Sequence, residues 1–215
     1  MIPLLHDFTD ETVLVVGGGP VGARKARRFA SEADVVVLSP TFADRAFGTA
    51  RLVRAAPDTE SIHTWVDRTG PALVVAATDD SELNAAAETA ARDHGALVNR
   101  ADDHGEQTFG NVVVPATVRD DPVVLAVATG GTAPALSKHL REEFEREFAG
   151  AGAMADLAGE LREELRATDM SAAERRDAVR AVVRADDVWK ALDSGRSKAR
   201  QAAEDVIGYH SGDML

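Results

Sequence analysis

Residues 12–22 read Thr-Val-Leu-Val-Val-Gly-Gly-Gly-Pro-Val-Gly, an apolar, β-branched run that leads directly into a glycine-rich turn. A run of this composition predicts a strand buried on both faces. Gly17, Gly19 and Gly22 then satisfy G-x-G-x-x-G at the start of a helical pattern over residues 21–30. Glycine at these points permits a tight turn, lets a pyrophosphate approach the backbone and lets helix and strand pack closely. The stretch predicts a dinucleotide-binding turn, with a purely structural glycine turn as the alternative.

Outward from this motif, the first half of the chain alternates strands with helices. Further buried strands are predicted at Asp34–Leu38, Ala72–Ala77 and Ala96–Asn99. Arg51–Ala56 and Ser61–Val66 are weaker apolar runs, and we expect one or both to be edge strands. A helix is expected to follow Asp79 and Asp80, either of which can cap it, and to stop at Gly95. Strands that alternate with helices in this way predict a parallel, doubly wound α/β sheet of the Rossmann type.

The pattern changes in the second half of the chain. Thr108–Val114 and Pro122–Ala128 are strand-like runs that are joined by residues 115–121 without an intervening helix. Because an isolated pair of strands is marginally stable, we expect this region to extend across a subunit boundary. The sequence therefore predicts a dinucleotide-binding domain over residues 1–110 and a dimerisation region over residues 111–149.

From Thr132 onward the sequence is almost entirely helical, which predicts a C-terminal helical domain over residues 150–215. Thr132 can cap a helix that has Pro134 in its first turn. Ser171 and Glu174 have the spacing of a capping box for a later helix. The expected apolar face of an intermediate helix consists of Met154, Leu157, Ala158, Leu161 and Leu165.

Composition limits the classes of function. The 215 residues include 36 acidic and 24 basic side chains, and the net charge of −12 argues against general binding to nucleic acid or membrane surfaces. Cysteine is absent and the six histidines lack metal-ligand spacing, so we expect no structural metal. The N-terminus does not resemble a signal peptide and no run is long enough to span a bilayer, so a cytoplasmic protein is expected. The acidic surface is typical of a high-salt cytoplasm, or else of an ordinary acidic protein from a GC-rich genome.

Two positions at strand ends are candidate cofactor contacts beside the glycine motif with its Pro20 and Val21. Ser39 stands where a Rossmann-type strand often carries an Asp or Glu for the ribose hydroxyls. No arginine follows it directly to bind a 2′-phosphate, which favours NAD over NADP. Thr78 ends another buried strand and could contact the cofactor, although helix capping by its aspartate neighbours explains the segment equally well.

Three further groups are candidates for contact with a substrate. Asp102 follows the last parallel strand, where a carboxylate near the nicotinamide could accept a proton, but a surface turn is the alternative. The turn Thr129-Gly130-Gly131-Thr132 could hold an anion on free amides, or it could simply connect a strand to a helix. Arg24 and Lys25 lie in a basic cluster that suits a polyanionic substrate, or they are part of a solvated helix face.

Taken together, these segments resemble the siroheme synthase N-terminal family of NAD-dependent precorrin-2 dehydrogenases, some of which are also sirohydrochlorin ferrochelatases. The resemblance covers essentially the whole chain. It is carried by the following stretches: Val16–Gly22 with Arg24–Arg27 after it, Ala76–Asn84, Val98–Asp102 and Thr129–Pro134. The order and spacing of four motifs are far more specific than the glycine motif alone.

The resemblance implies oxidation of precorrin-2 to sirohydrochlorin by NAD in a homodimer, with Asp102 as the catalytic aspartate. It also rationalises the basic residues, because precorrin-2 carries eight carboxylates. In members that insert metal, ferrous iron is a second substrate, and the sequence does not decide whether this chain is one of them. A methyltransferase domain that some relatives carry is absent, so another protein is expected to make precorrin-2. A turn serine of some relatives is Thr129 here, which leaves the role of that hydroxyl open.

Three alternatives belong to other classes of function. They are another NAD-dependent dehydrogenase, a chelatase that does not oxidise its substrate, and a non-enzymatic module that senses NAD.

Overall fold

The computed structural model describes residues 2–101 and 111–212, and it divides into two compact units, Met1–Val114 and Pro115–Leu215. The strands are β1 (Thr12–Val16), β2 (Asp34–Ser39), β3 (Arg51–Arg54), β4 (Leu73–Ala76), β5 (Leu97–Arg100), β6 (Ala116–Asp120) and β7 (Val123–Val127). The helices are α1 (Pro20–Phe29), α2 (Ser61–Thr69), α3 (Ser81–His94), α4 (Pro134–Glu147), α5 (Ala151–Arg166), α6 (Ala172–Arg184), α7 (Asp186–Asp193) and α8 (Arg196–Gly212).

The first unit is built on a five-stranded sheet in the order β3-β2-β1-β4-β5, with every neighbouring pair parallel. The chain moves outward from β1 to β3 and then returns to the other side of β1 as β4. This reversal of direction beside β1 is the position where open α/β sheets bind ligands. The predicted Rossmann-type α/β fold, followed by a small β-containing region and C-terminal helices, is confirmed.

Apolar side chains on alternate faces of the strands bury both sides of this sheet. Val13 and Val15 of β1 pack with the small residues of α1 on one face. Leu14 and Val16 pack with α2 and α3 on the other face. The continuous apolar runs in the sequence therefore reflect burial on both faces, as predicted.

Of the two runs of which one or both were expected to be edge strands, one is an edge strand and the other is a helix. Arg51–Arg54 forms β3 at the edge of the sheet, whereas Ser61–Val66 lies in helix α2. Ile62 and Val66 are spaced four residues apart and are both buried, so the apolar side chains follow a helical period. The β-branched residues of this short run favour a strand locally. The helix forms because it lets Ile62 and Val66 pack together against the sheet.

The predicted β pair of the second unit is displaced along the chain. Strands β6 and β7 are antiparallel, with Ala116 paired to Val127, so β6 falls in the segment that the sequence predicts as a connection. Of the run Thr108–Val114, residues 108–110 lie outside the described residues, and Asn111 makes a single bridge to Val98 of β5. Three consecutive valines imitate a strand there, but the hairpin begins only after Pro115.

The C-terminal helices enclose their own core. Met154, Leu157 and Leu161 of α5 pack with Val182 of α6 and with residues of α7 and α8. The predicted capping box between Ser171 and Glu174 is present, with both reciprocal hydrogen bonds formed. The predicted cap at Thr132 is wrong, because the cap residue of α4 is Ala133. Thr132 instead donates its hydroxyl hydrogen to the carbonyl of Thr129, 2.7 Å away.

Across the ranges 2–101 and 111–212, the helices are all too short or too polar to cross a membrane. The predicted dimerisation region and the domain boundaries at residues 110 and 150 stay predictions.

Candidate functional site

A cavity of about 650 Å³ lies at the carboxyl ends of β1, β2 and β4, where the strand order reverses. Its size is within the range of small-molecule sites. The residues that line it belong to the glycine turn, to the segments that follow β2, β3 and β4, and to the start of α3. Its walls include six of the predicted cofactor residues: Gly17, Gly19, Pro20, Val21, Ser39 and Thr78.

The glycine turn is packed so tightly that side chains are excluded from most of it. A Cβ atom at Gly17 would overlap the carbonyl oxygen of Ala77, and one at Gly22 would overlap the carbonyl oxygen of Gly17. Gly17 also has φ of 119°, a conformation that L-residues with side chains rarely adopt. Gly17 is therefore required where the turn passes the segment after β4, and Gly22 is required where α1 packs against the turn.

Gly19 differs from its neighbours because a Cβ atom there would meet nothing within 4 Å. Protein packing does not require a glycine at this position, yet the backbone of Gly19 faces the cavity. Gly19 is also the cap residue of α1, where no side chain caps the first-turn amides and no acidic residue lies in the first turn. Amides that are left open at a helix N-terminus bind phosphate groups. This end of the cavity therefore fits the pyrophosphate of a dinucleotide.

Ser39 ends β2 at the far side of the cavity and is 6% exposed. The parallel register pairs it with Arg54, whose Nη1 donates to the carbonyl of Pro40 at 3.0 Å and whose guanidinium lies over the ring of Phe42. Pro40 and Phe42 both line the cavity. An arginine therefore lies beside the strand end where the ribose of a dinucleotide is expected. The sequence directly after Ser39 does not predict this arginine, because Arg54 is fifteen positions further along the chain. Pairing of β3 with β2 places it beside Ser39.

Thr78 lines the cavity, but its polar groups are engaged by the protein. Its hydroxyl lies 2.7 Å from Oδ1 of Asn84, and its amide donates to the same oxygen at 3.1 Å. The amide nitrogen of Asn84 donates in turn to the Thr78 carbonyl at 3.1 Å. Asp80 caps α3 by accepting from the amides of Glu82 and Leu83, so the capping interpretation of this segment is confirmed.

Asn84 is fully buried and holds the shape of this cavity wall. Sequence reasoning missed it, although the sequence carries a signal for it. Asn84 lies on the same helix face as the buried Ala87 and Ala91, and an amide on an apolar face needs internal partners.

Lys25 points inward rather than toward solvent. Its Nζ donates to Oδ1 of Asn99 in β5 at 2.8 Å, and Nδ2 of Asn99 donates to the carbonyl of Val112 at 2.8 Å. Burial, and then the positive charges of Arg28 and Arg24, lower the pKa of Lys25 to about 8. Lys25 does not line the cavity, so its predicted contact with a substrate stays a prediction.

Asp102, the predicted catalytic residue, lies outside the described residues. The chain on either side of that segment is fixed to the sheet. The amide of Ala101 donates to the carbonyl of Ala76 at 2.9 Å, and the amide of Val112 donates to the carbonyl of Val98 at 2.7 Å. The described chain therefore leaves the sheet at Ala101, beside the carboxyl end of β4, and is bonded to it again at Val112, beside Val98 of β5.

A buried carboxylate anchors the end of β5. Glu88 of α3 is 5% exposed, and its Oε2 lies 3.0 Å from Nη1 of Arg100, the last residue of β5. Its Oε1 lies 2.5 Å from Nη2 of Arg92 on the same helix. Neither the glutamate nor the arginines stand out in the sequence, because only the fold brings α3 and the end of β5 together.

Two further predicted residues of the first unit do not line this cavity. Arg24 lies on the exposed side of α1, and Gly22 packs against Gly17 beneath the turn. The Thr129–Thr132 turn belongs to the second unit, where the hydroxyl of Thr129 lies 2.9 Å from that of Ser137. Among the described residues, no three acidic or histidine side chains converge as a metal site would require.

Comparison with known proteins identifies the family. Residues 4–116 match the model of a domain family described as "Putative NAD(P)-binding". The "Precorrin-2 dehydrogenase" of Methanosarcina barkeri is 31% identical over 222 residues, which cover 97% of this chain and 94% of that protein. The chain belongs to the precorrin-2 dehydrogenase family.

Other members of this family are longer. "Siroheme synthase 1" of Pectobacterium atrosepticum is 37% identical over 172 residues, which are 77% of this chain and 34% of that protein. "Siroheme synthase 1" of Aeromonas salmonicida is 33% identical over 98% of this chain and 45% of its own length. The chain thus spans less than half of these siroheme synthases.

A solved structure shares the fold. The structure of "SirC, precorrin-2 dehydrogenase" superposes with a TM-score of 0.64 at 22% identity, covering 96% of this chain and 98% of that one. The resemblance to the siroheme synthase N-terminal family, stated from the sequence motifs, is confirmed.

Proposed function

We propose that this chain oxidises precorrin-2 to sirohydrochlorin in siroheme biosynthesis, with NAD as the hydride acceptor. The single observation that carries the proposal is the Gly19 cradle, a backbone turn that is open to the cavity, in a chain similar over nearly its whole length to a precorrin-2 dehydrogenase. NAD, when bound, supplies the acceptor for the hydride that leaves a ring carbon of the macrocycle. The accompanying proton must go to a base, so that one precorrin-2 and one NAD give one sirohydrochlorin, one NADH and one proton.

Different residues of the cavity are proposed to contact different parts of the cofactor. We propose that the first-turn amides of α1 bind the pyrophosphate and that Ser39 bonds the ribose. Thr78 and Asn84 keep the opposite wall of the cavity in place. Asp102 is the proposed base, on the strength of the family resemblance, and Glu88 and Arg100 fix the strand from which its segment leaves.

The test is anaerobic incubation of the chain with precorrin-2 and NAD, following NADH and the tetrapyrrole spectrum together. We expect the two products in equal amounts from wild type, and a loss of about a hundredfold or more for Asp102→Asn, since a positioned base contributes on that order. Asp103→Asn is the matched control and should keep its rate. NADP is run in parallel because Arg54 lies near the ribose end of the cavity.

Binding of NAD without formation of NADH would overturn the oxidation and leave a sensor or a chelatase. Formation of NADH from a different alcohol or amine substrate, with precorrin-2 inert, would make the chain another dehydrogenase. Addition of ferrous iron after the oxidation tests whether iron is a second substrate.

We further propose that the chain acts as a homodimer in the cytoplasm, where its nicotinamide cofactor is available. The support for the dimer is the small second sheet, which has two strands in the described part of the chain and would be extended by pairing with a second copy. Light scattering should give a mass of about twice 22.8 kDa. The mass of a single chain would refute the dimer without affecting the proposed oxidation.

A further inference from the structure

A groove between α5 and α6 in the second unit concentrates positive charge on an otherwise acidic chain. Its volume of about 580 Å³ is within the range of small-molecule binding sites. Its lining contains six arginines and three apolar residues: Arg162, Arg166, Ala172, Arg175, Arg176, Val179, Arg180, Val183 and Arg184. None of these lining residues is acidic, although the chain as a whole carries a net charge of −12.

The spacing of these residues places them on one face of α6. From Ala172 to Arg184 the lining positions recur every three or four residues, which is the helical period. The opposite face of α6 carries Ala178 and Val182, both fully buried in the core of the helical unit. The groove is therefore outside the hydrophobic core, and Val179 and Val183 form an apolar floor between the charged rows.

Much of the charge in the groove is available to a ligand. Arg166 and Arg180 pair with Glu163 and Asp177 on their own helices, and exposed pairs of this kind are weak. For Arg162, Arg176 and Arg184, no ion pair is formed within the described ranges, and all three are exposed. Guanidinium groups bind carboxylates through two parallel hydrogen bonds, which makes a row of arginines suited to several carboxylates at once.

We propose that this groove is a second binding site, for a polycarboxylate built on an apolar scaffold. The arginine rows bind the carboxylates and the two valines contact the scaffold. The identification of the natural ligand as a tetrapyrrole rests on the proposed function. The chemical class of the ligand, a polycarboxylate, is inferred from the groove itself.

The groove is poorly suited to nucleic acid. Helix α6 has 13 residues and is about 20 Å long, so it offers a short track for a phosphate backbone. Glu163 and Asp177 lie beside it, and the surrounding surface of an acidic chain repels a long polyanion. A compact ligand with several carboxylates avoids both problems.

Binding of uroporphyrin, an octacarboxylate porphyrin, to the full chain tests the inference by fluorescence titration. The groove variant is Arg162→Gln/Arg176→Gln/Arg184→Gln, and the matched control removes three charges elsewhere in the same unit, Arg146→Gln/Lys190→Gln/Lys198→Gln. Because each lost contact is charge-assisted, we expect the groove variant to lose about tenfold or more in affinity at one class of site. The control should bind like wild type, and coproporphyrin, with four carboxylates, should bind the groove more weakly.

A second variant keeps all six arginines. Val183→Glu places a carboxylate on the floor of the groove at a side chain that is already 38% exposed, so folding should be unaffected. We expect it to weaken uroporphyrin binding as well, because like charges repel at short range. Circular dichroism and the rate of NADH formation at saturating precorrin-2 should match wild type for all the variants.

Equal uroporphyrin affinity for wild type, groove variant and Val183→Glu would overturn the inference. It would also be overturned if the groove variant lost affinity for duplex DNA, or changed its mass in light scattering, while it bound uroporphyrin normally. A groove variant that loses uroporphyrin while wild type forms no NADH would sustain the second site and refute the proposed oxidation. The two proposals thus fail separately.

Discussion

Two glycines of the first turn differ in what surrounds them, although they are three residues apart. At Gly22 a methyl group would overlap a backbone oxygen that belongs to the same turn. At Gly19 it would enter open space, and the backbone there has φ of −73°, which any residue adopts. One glycine is therefore needed for folding, and the other is needed only if something approaches the backbone from the cavity.

This difference predicts opposite results for two alanine variants. Gly22→Ala should destabilise the chain by about 1–3 kcal/mol, the usual range for overpacking against a structure that cannot yield. Gly19→Ala should keep the stability of wild type and lose about tenfold or more in NAD affinity. Thermal unfolding and a titration with NAD measure the two effects. Normal NAD affinity in Gly19→Ala would show that the cofactor does not contact this part of the turn.

The buried position of Lys25 predicts how the stability of the chain depends on pH. Its pKa is lowered from 10.5 to about 8 in the folded chain, so between these values the unfolded chain binds more protons. The free energy of unfolding therefore gains a contribution that rises as the pH goes from about 8 to about 10.5.

Urea denaturation at the two ends of that pH range checks this effect. In Lys25→Met the rise with pH should be smaller than in wild type, because the titrating group is gone. Lys190→Met is the control, since Lys190 is exposed, and it should keep the wild-type pH dependence. Identical pH dependence in wild type and Lys25→Met would contradict the buried, perturbed amine.

Local sequence patterns could predict which residues reach the cavity but not how they are held there. Gly17, Ser39 and Thr78 follow recognisable strands, so their place at the carboxyl edge was predictable from topology alone. The partners of Lys25 and Glu88 were not predictable, because Asn99 is 74 positions from Lys25 and Arg100 comes from another element. Such contacts depend on which strand is the neighbour of which.

At the scale of elements, helix α5 is constrained at one glycine and free at another. The amide of Gly152 donates to Oδ2 of Asp120 at 3.0 Å, and a Cβ atom there would lie 2.7 Å from the carbonyl oxygen of the same aspartate. The β6–β7 turn therefore rests directly on the start of α5. At Gly159, on the same helix, a Cβ atom would meet nothing within 4 Å.

The pair Gly152→Ala and Gly159→Ala should change stability in opposite directions. Gly159→Ala is expected to stabilise the chain by up to about 1 kcal/mol, since alanine favours helix more than glycine does. Gly152→Ala should lose that gain and cost about 1–3 kcal/mol more, because the turn of the hairpin must move. Urea denaturation compares them, and stabilisation by both variants would show that the turn does not constrain the helix.

Element type was predictable wherever period and boundaries agreed. The strand before the glycine turn, the helix that ends at Gly95 and the capping box at Ser171 each combine an apolar pattern with a suitable terminal residue. Helix α2 was not predictable because its apolar residues are β-branched or aromatic and its helical period spans only two turns. The hairpin is displaced from its predicted position because three valines before Pro115 are more strand-like than the polar sequence of β6.

At the scale of the whole molecule, acidic side chains outnumber basic ones by 36 to 24. Their mutual repulsion opposes the compact state at low salt. Exposed ion pairs such as Arg141–Glu145 act in the other direction, but each of them contributes little. The net effect of added salt is therefore set by the excess of negative charge.

We expect the free energy of unfolding to rise with KCl, since the screening length falls from about 10 Å at 0.1 M to about 3 Å at 1 M. Thermal unfolding over this range measures the change. A variant with six surface acids changed to neutral residues should respond less to the salt. Stability that falls with KCl would mean that attractive pairs outweigh the repulsion.

The edges of the first sheet are poorly suited to pairing with strands of other molecules. Strand β3 is four residues long, begins with Arg51 and ends with Arg54, and pairs on its inner side with β2. Short edge strands flanked by charge are poor templates for strands of other chains. At the opposite side of the sheet, the bridge from Asn111 to Val98 covers part of β5. Neither edge of the sheet therefore favours pairing with a strand of another molecule. We expect this valine-rich sheet to resist aggregation at high protein concentration.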